Sequence, residues 1–261
     1  MINRLQPGPV RRARVVGFDG PDVLVSLADP QEQHSEVGRI PAQEVSLGRR
    51  VHPSQIFELG QEIEAEEIGR WRGGQLHLSA RSCENPALRS FLLGMQPGKI
   101  VTGTVAAVHN FGVFVHLDGE PEDLCTGFIR VPDLTWSWIE HPSKVAHPGQ
   151  RITAEVIVFD TRQGQVTVSL KALLEDPLVR FADRVGQVLS GPVTKIVPFG
   201  VFVRLADGVE GLLHLSELTK EPTETPDQIV SEGELITVRV AEVDLERRRV
   251  ALHAAAADEG V

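Results

Sequence analysis

The eight residues "NFGVFVHL" at Asn110 return almost unchanged as "PFGVFVRL" at Pro198, 88 positions later. A near-copy at that distance makes the chain an array, and each unit of an array must be small and bury its own core. The copies stay aligned well beyond the octapeptide. Gly127 to Asp160 spans 33 positions, as does Gly211 to Asp244, and each aspartate is followed 6 positions on by a valine, Val166 or Val250. The length difference is four extra residues in the loop "DGEPEDLCT" of the earlier copy. A third copy lies upstream. "HPSQIFELGQEIEAE" at His52 parallels "HPSKVAHPGQRITAE" at His141, and "QLHLS" parallels "QVTVS". Three tandem units result, 8–81, 98–172 and 185–255. The connectors "SCENPALRSFLLGMQP" and "LLEDPLVRFADR" read as short helices interrupted by proline.

Each unit is written in strands. Apolar residues alternate in short runs: Val113, Val115 and Leu117; Val201, Val203 and Leu205; Val238 and Val240; Val250 and Leu252. Units of about 75 residues with some five strands fit a small closed barrel, and the OB-fold is the commonest such solution. The expected class is therefore all-β: three tandem five-stranded OB-fold barrels joined by short helical connectors. If the alternating valines face inward, Phe114 and His116 point outward, as do Phe202 and Arg204, with Phe111 and Phe199 at glycine turns. The same register turns Arg130, His214 and Arg249 outward. An exposed aromatic pair beside a planar cation or imidazole is a platform for unpaired bases, each stacked base contributing about 1–3 kcal/mol. A single F-G-x-F usually marks a turn glycine with core phenylalanines. Its duplication, with a basic group at the matching place, reverses that reading.

Other chemistry leaves no trace. The nine histidines form no H-E-x-x-H, and Cys83 and Cys125 have no C-x-x-C partner, so no metal site is expected. There is no G-x-x-x-x-G-K-[ST] loop and no G-x-S-x-G elbow, so neither cofactor nor enzymatic activity is expected. No apolar run approaches ~18 residues and no secretory signal opens the chain, which predicts a cytoplasmic protein with free thiols and no membrane contact. The net charge of −10 opposes a grip based on backbone phosphate. Affinity should come from stacking, be modest, and favour unpaired strands. The scattered carboxylates read as a solvated acidic surface, and Trp136 and Trp138 as core or loop packing.

"GQVLSGPVTKIVPFGVFVRL", "GVEGLLHLSEL" and "GELITVRVAEVDLERRRVAL" resemble the S1 domain, the RNA-binding OB repeat. "DLTWSWIEHPSKVAHPGQRITAEVIVFD" in the middle unit resembles a central repeat of the bacterial ribosomal S1 family. The resemblance implies an RNA face of two phenylalanines, a histidine, an aspartate and an arginine. In the third unit these fall on Phe199, Phe202, His214 and Asp244, with Arg248 or Arg249. In the middle unit Phe111, Phe114 and Asp160 match, Arg130 replaces the histidine, and Gln165 stands at the arginine's register.

In the first unit Pro21, Asp22 and Leu24 fall where the middle unit has Phe111, Gly112 and Phe114. The barrel pattern survives in Val23, Val25 and Leu27, but the platform does not. Removing residues 1–85 is thus expected to change RNA affinity by less than about 1 kcal/mol, with Trp71 the first residue to suspect otherwise. Two functions remain open. One is a protein of translation, resembling a short ribosomal S1, that binds single-stranded RNA or mRNA. The other is an adaptor docking its barrels on a ribosome, polymerase or nuclease. On either reading residues 8–81 could meet the small ribosomal subunit or another protein.

Overall fold

The computed structural model describes residues 6–27, 36–48, 51–71, 74–219 and 225–255. They form three closed barrels of five strands each. The first comprises β1 (Val10–Asp19), β2 (Asp22–Leu27), β3 (Glu36–Ile40), β4 (Glu62–Arg70) and β5 (Leu76–Ser79). The second comprises β6 (Ile100–His109), β7 (Gly112–Leu117), β8 (Gly127–Arg130), β9 (Arg151–Asp160) and β10 (Gln165–Ser169). The third comprises β11 (Val188–Val197), β12 (Gly200–Ala206), β13 (Val209–His214), β14 (Leu235–Asp244) and β15 (Arg249–Ala254). Helices α1 (Pro86–Leu93) and α2 (Pro177–Phe181) occupy the connectors, with Asn85 and Asp176 as their N-caps and proline in the first turn of each.

In each barrel the first strand pairs with both the second and the fourth, and the third pairs in parallel with the fifth. One strand can serve two neighbours only by bending. A bulge supplies the bend at the same place each time, at Val15/Gly17, Val105/Ala107 and Val193/Lys195. The cores are the alternating residues: Val23 and Val25, Val113 and Val115, and Val201 and Val203 are all fully buried. Leu178 and Phe181 of α2 close the third core.

The first two barrels belong to one compact unit; the third forms another with residues 135–140 and 174–261. In the first unit, carboxylates that read as solvated surface prove to be buried. Glu44 and Glu66 of the first barrel are each 2% exposed. Arg162, in the β9–β10 turn of the second barrel, donates through Nε to Glu44 Oε2 at 3.0 Å and through Nη2 to Oε1. Glu66 accepts from Thr161 Oγ1 at 3.1 Å, from Gly8 N at 3.1 Å and from Arg89 of α1. Burying a carboxylate is tolerable only with such a full set of charged and neutral donors. The first barrel is thereby fixed on the β9–β10 hairpin of the second.

The four-residue insertion of the middle barrel is organised by a smaller network. Glu120 Oε2 accepts from Thr126 N at 2.8 Å and Thr126 Oγ1 at 2.6 Å, while its Oε1 lies 2.8 Å from His116 Nδ1. The bond to Glu120, and then the Leu124 carbonyl, raise the pKa of His116 above its usual 6.5. A raised folded-state pKa stabilises the protein fully below the unfolded value and ceases to do so as pH rises through the folded one. Because His116 is half exposed, the effect should stay below about 1 kcal/mol. Melting curves across pH 6 to 8 (about the range in which histidine titrates) should show wild type losing more stability than His116→Ala. Parallel pH dependences would remove His116 from the account.

Candidate nucleic-acid interface

The octapeptide motif builds its platform from strand geometry. Gly112 opens β7 beside β8, where a Cβ would lie 2.5 Å from the Ile129 carbonyl oxygen and 2.6 Å from the Phe128 ring. At Gly200 it would lie 2.2 Å from the Leu213 carbonyl oxygen. Glycine is required because neighbouring backbone passes too close for any side chain. Inward Val113 and Val115 leave Phe114 on the outer face, and Phe111 stands in the turn before it, 57% exposed.

Around Phe111 the middle barrel gathers four rings. His109 stacks on Phe111 with centroids 5.2 Å apart and planes 7° from parallel. Phe114 meets Phe111 edge-on at 6.1 Å and packs against Phe128 at 5.1 Å. Phe128 is its cross-strand partner on β8. Rings that brace one another at these distances hold a fixed surface, and Phe111 exposes one edge of it to solvent. Arg130 pairs in register with Gly112, so its exposed side chain flanks the aromatic turn, anchored by Nε to Asp133 Oδ2 at 2.6 Å.

The third barrel repeats the plan with fewer rings. Phe199 is 51% exposed, Phe202 is half-buried on the outer face, and Leu212 takes the place of Phe128. His214 pairs with Gly200 and flanks the turn as Arg130 does. The Ser216 backbone N–H donates to His214 Nδ1, so the neutral ring carries its proton on Nε2 as a donor toward solvent.

The two hairpin aspartates act on their own turns. Asp160 accepts from the backbone N–H of Arg162 at 2.8 Å and of Gln163 at 3.1 Å, and Asp244 from that of Arg247 at 2.8 Å. The register also separates the two candidate arginines. Asp244 pairs with Arg249 as Asp160 pairs with Gln165. Arg248, at φ 54°, turns away to Asp176 and lies 4.3 Å from the Trp136 ring centroid. Arg249 is exposed and makes no ion pair among the described residues.

His109 and Phe128 were not singled out by sequence reasoning. Phe128 was legible, since the alternation that buries Ile129 puts it on the outer face with Phe114. His109 had no pattern to reveal it, because Val197 fills its place in the third barrel. Trp138, read as packing, is 79% exposed. At the matching place in the first barrel there is an ion-pair cluster instead: Arg39 donates to Asp22 at 2.7 Å and also to Asp19.

Comparison with known proteins agrees with this architecture. The chain is 41% identical over 230 residues to small ribosomal subunit protein bS1 of Mycobacterium tuberculosis and to that of Mycolicibacterium smegmatis. The alignments cover 85% of this chain and 46% of each relative, so the chain spans about half the length of the curated relatives it matches. Among solved structures, GSP13 of Bacillus subtilis is 32% identical over 30% of this chain and 63% of its own, with a TM-score of 0.26. The family described as "S1 RNA binding domain" matches residues 95–171 and 182–254, the second and third barrels with their connectors. By sequence and by strand order alike, this chain belongs to the S1 RNA-binding domain family.

Proposed function

We propose that this protein binds single-stranded RNA through the aromatic faces of its second and third barrels and works on mRNA in translation. The observation that carries this reading is the four-ring cluster of His109, Phe111, Phe114 and Phe128, whose exposed edge has no partner within its own barrel to justify it. The net charge of −10 makes stacking, not phosphate attraction, the main source of affinity. Arg130 and His214 each flank a platform and, with Arg249 on the neighbouring strand β15, supply local phosphate contacts. On this reading the protein acts in the cytoplasm by binding rather than by catalysis. Its relatives are named as small ribosomal subunit proteins, which makes that subunit the first assembly to test as a partner.

Two platforms joined by a connector of about a dozen residues should engage one strand together. Effective concentrations near about 1 mM then give tens-fold avidity. Affinity for oligo(U) should rise sharply once the RNA reaches ~10 nucleotides, given a few per barrel. Duplex RNA of equal length should compete poorly. Fluorescence anisotropy across a length series measures both. A flat length dependence would show that the barrels do not share a strand, and equal affinity for duplex would overturn the stacking reading.

A further inference from the structure

The first barrel lacks the usual platform, yet it carries an exposed aromatic stack elsewhere. Trp71, immediately after β4, is 68% exposed and lies flat on His77 of β5, with ring centroids 5.4 Å apart and planes 8° from parallel. That nearly reproduces the stack of His109 on Phe111 at 5.2 Å and 7°. Trp71 is held in place by its own hairpin. Its N–H donates to the Gln75 carbonyl at 3.0 Å, and its carbonyl accepts from Gly74 N at 3.0 Å. In register it occupies the position of Asp160 and Asp244.

The corresponding hairpins of the other barrels are engaged by protein. Arg162 and Thr161 bind Glu44 and Glu66, and Arg248 binds Asp176 beside Trp136. The first barrel's hairpin instead presents an indole face to solvent. Among the described residues, the neighbouring cations Arg39 and Arg70 are already paired, Arg39 with Asp19 and Asp22, and Arg70 with Glu36. Such a surface offers a flat, weakly hydrated ring, which suits the face of an unpaired base.

We propose that Trp71, braced by His77, is a third base-stacking site, moved from the β1–β2 turn to the β4–β5 hairpin. It rests on the reading of the protein as a single-stranded RNA binder and extends that reading to the first barrel, where sequence expected none.

The test uses the full chain with Trp136→Phe and Trp138→Phe, leaving Trp71 as the sole indole. Unlabelled oligo(U) RNA of ~20 nucleotides, long enough for three sites, should quench its emission along the same isotherm that anisotropy of a labelled copy reports. In the otherwise native chain, Trp71→Ala should weaken binding about fivefold or more and Trp71→Phe should retain most of the affinity. Unchanged emission while anisotropy shows the RNA bound would overturn the site. Unchanged affinity of a folded Trp71→Ala protein would overturn it equally. Should the wild-type chain bind no RNA at all, the underlying reading fails and the site with it.

Discussion

Replacing Phe111 and Phe114 together with alanine is expected to weaken single-stranded RNA binding by the middle barrel by about 30- to 150-fold, or roughly 2–3 kcal/mol. The magnitude follows from two lost stacking faces at about 1–3 kcal/mol per base, less whatever His109 and Phe128 retain. The pair Phe199 and Phe202 should behave alike in the third barrel, but with less residual binding, since Leu212 leaves no second ring behind them. Phe111 is 57% exposed, so its own truncation should barely affect folding. Phe114 packs against Phe128 at 5.1 Å, and its loss opens a gap on the outer face that circular dichroism and a melting curve must show to be tolerated. The single Phe111→Ala variant therefore separates binding from packing. Unchanged affinity in a folded quadruple variant would remove the platforms from the mechanism.

The architecture was legible because barrel folding leaves a local signature. Period-two valines such as Val113 and Val115 mark the core face wherever they occur, and the crowded glycines Gly112 and Gly200 fix the turn that precedes them. The outward residues of the same strands followed automatically: Arg130, His214 and Arg249 lie where alternation puts them. Contacts between distant segments left no such mark. Glu44 and Arg162 are 118 positions apart, and Glu66 and Thr161 are 95 apart. Each sits in a stretch whose pattern resembles solvated surface, so nothing local distinguishes a buried carboxylate from an exposed one. Arg248 and Arg249 stayed undivided in the sequence for a related reason. Both follow from one run of three arginines, and only hairpin register and the Trp136 contact assign them to different sides.

That non-local contact carries the largest expected effect on stability. Removing the guanidinium with Arg162→Ala leaves the Glu44 carboxylate, whose side chain is 3% exposed, buried without its charged partner. Breaking a buried pair from one side costs about 3–5 kcal/mol, and the partial exposure of Arg162 places the expectation near about 3 kcal/mol. The loss should fall on the junction of the first two barrels and not on either core. Denaturant unfolding should therefore show the first barrel separating at lower concentration than the second. Replacing both partners, Glu44→Met with Arg162→Met, should recover much of the loss, because two apolar chains of similar reach need no desolvated charge. If Arg162→Ala instead unfolds in one transition at the wild-type midpoint, the ion pair does not hold the barrels together. The junction would then rest on Glu66, where Thr161, Arg89 and the Gly8 backbone converge.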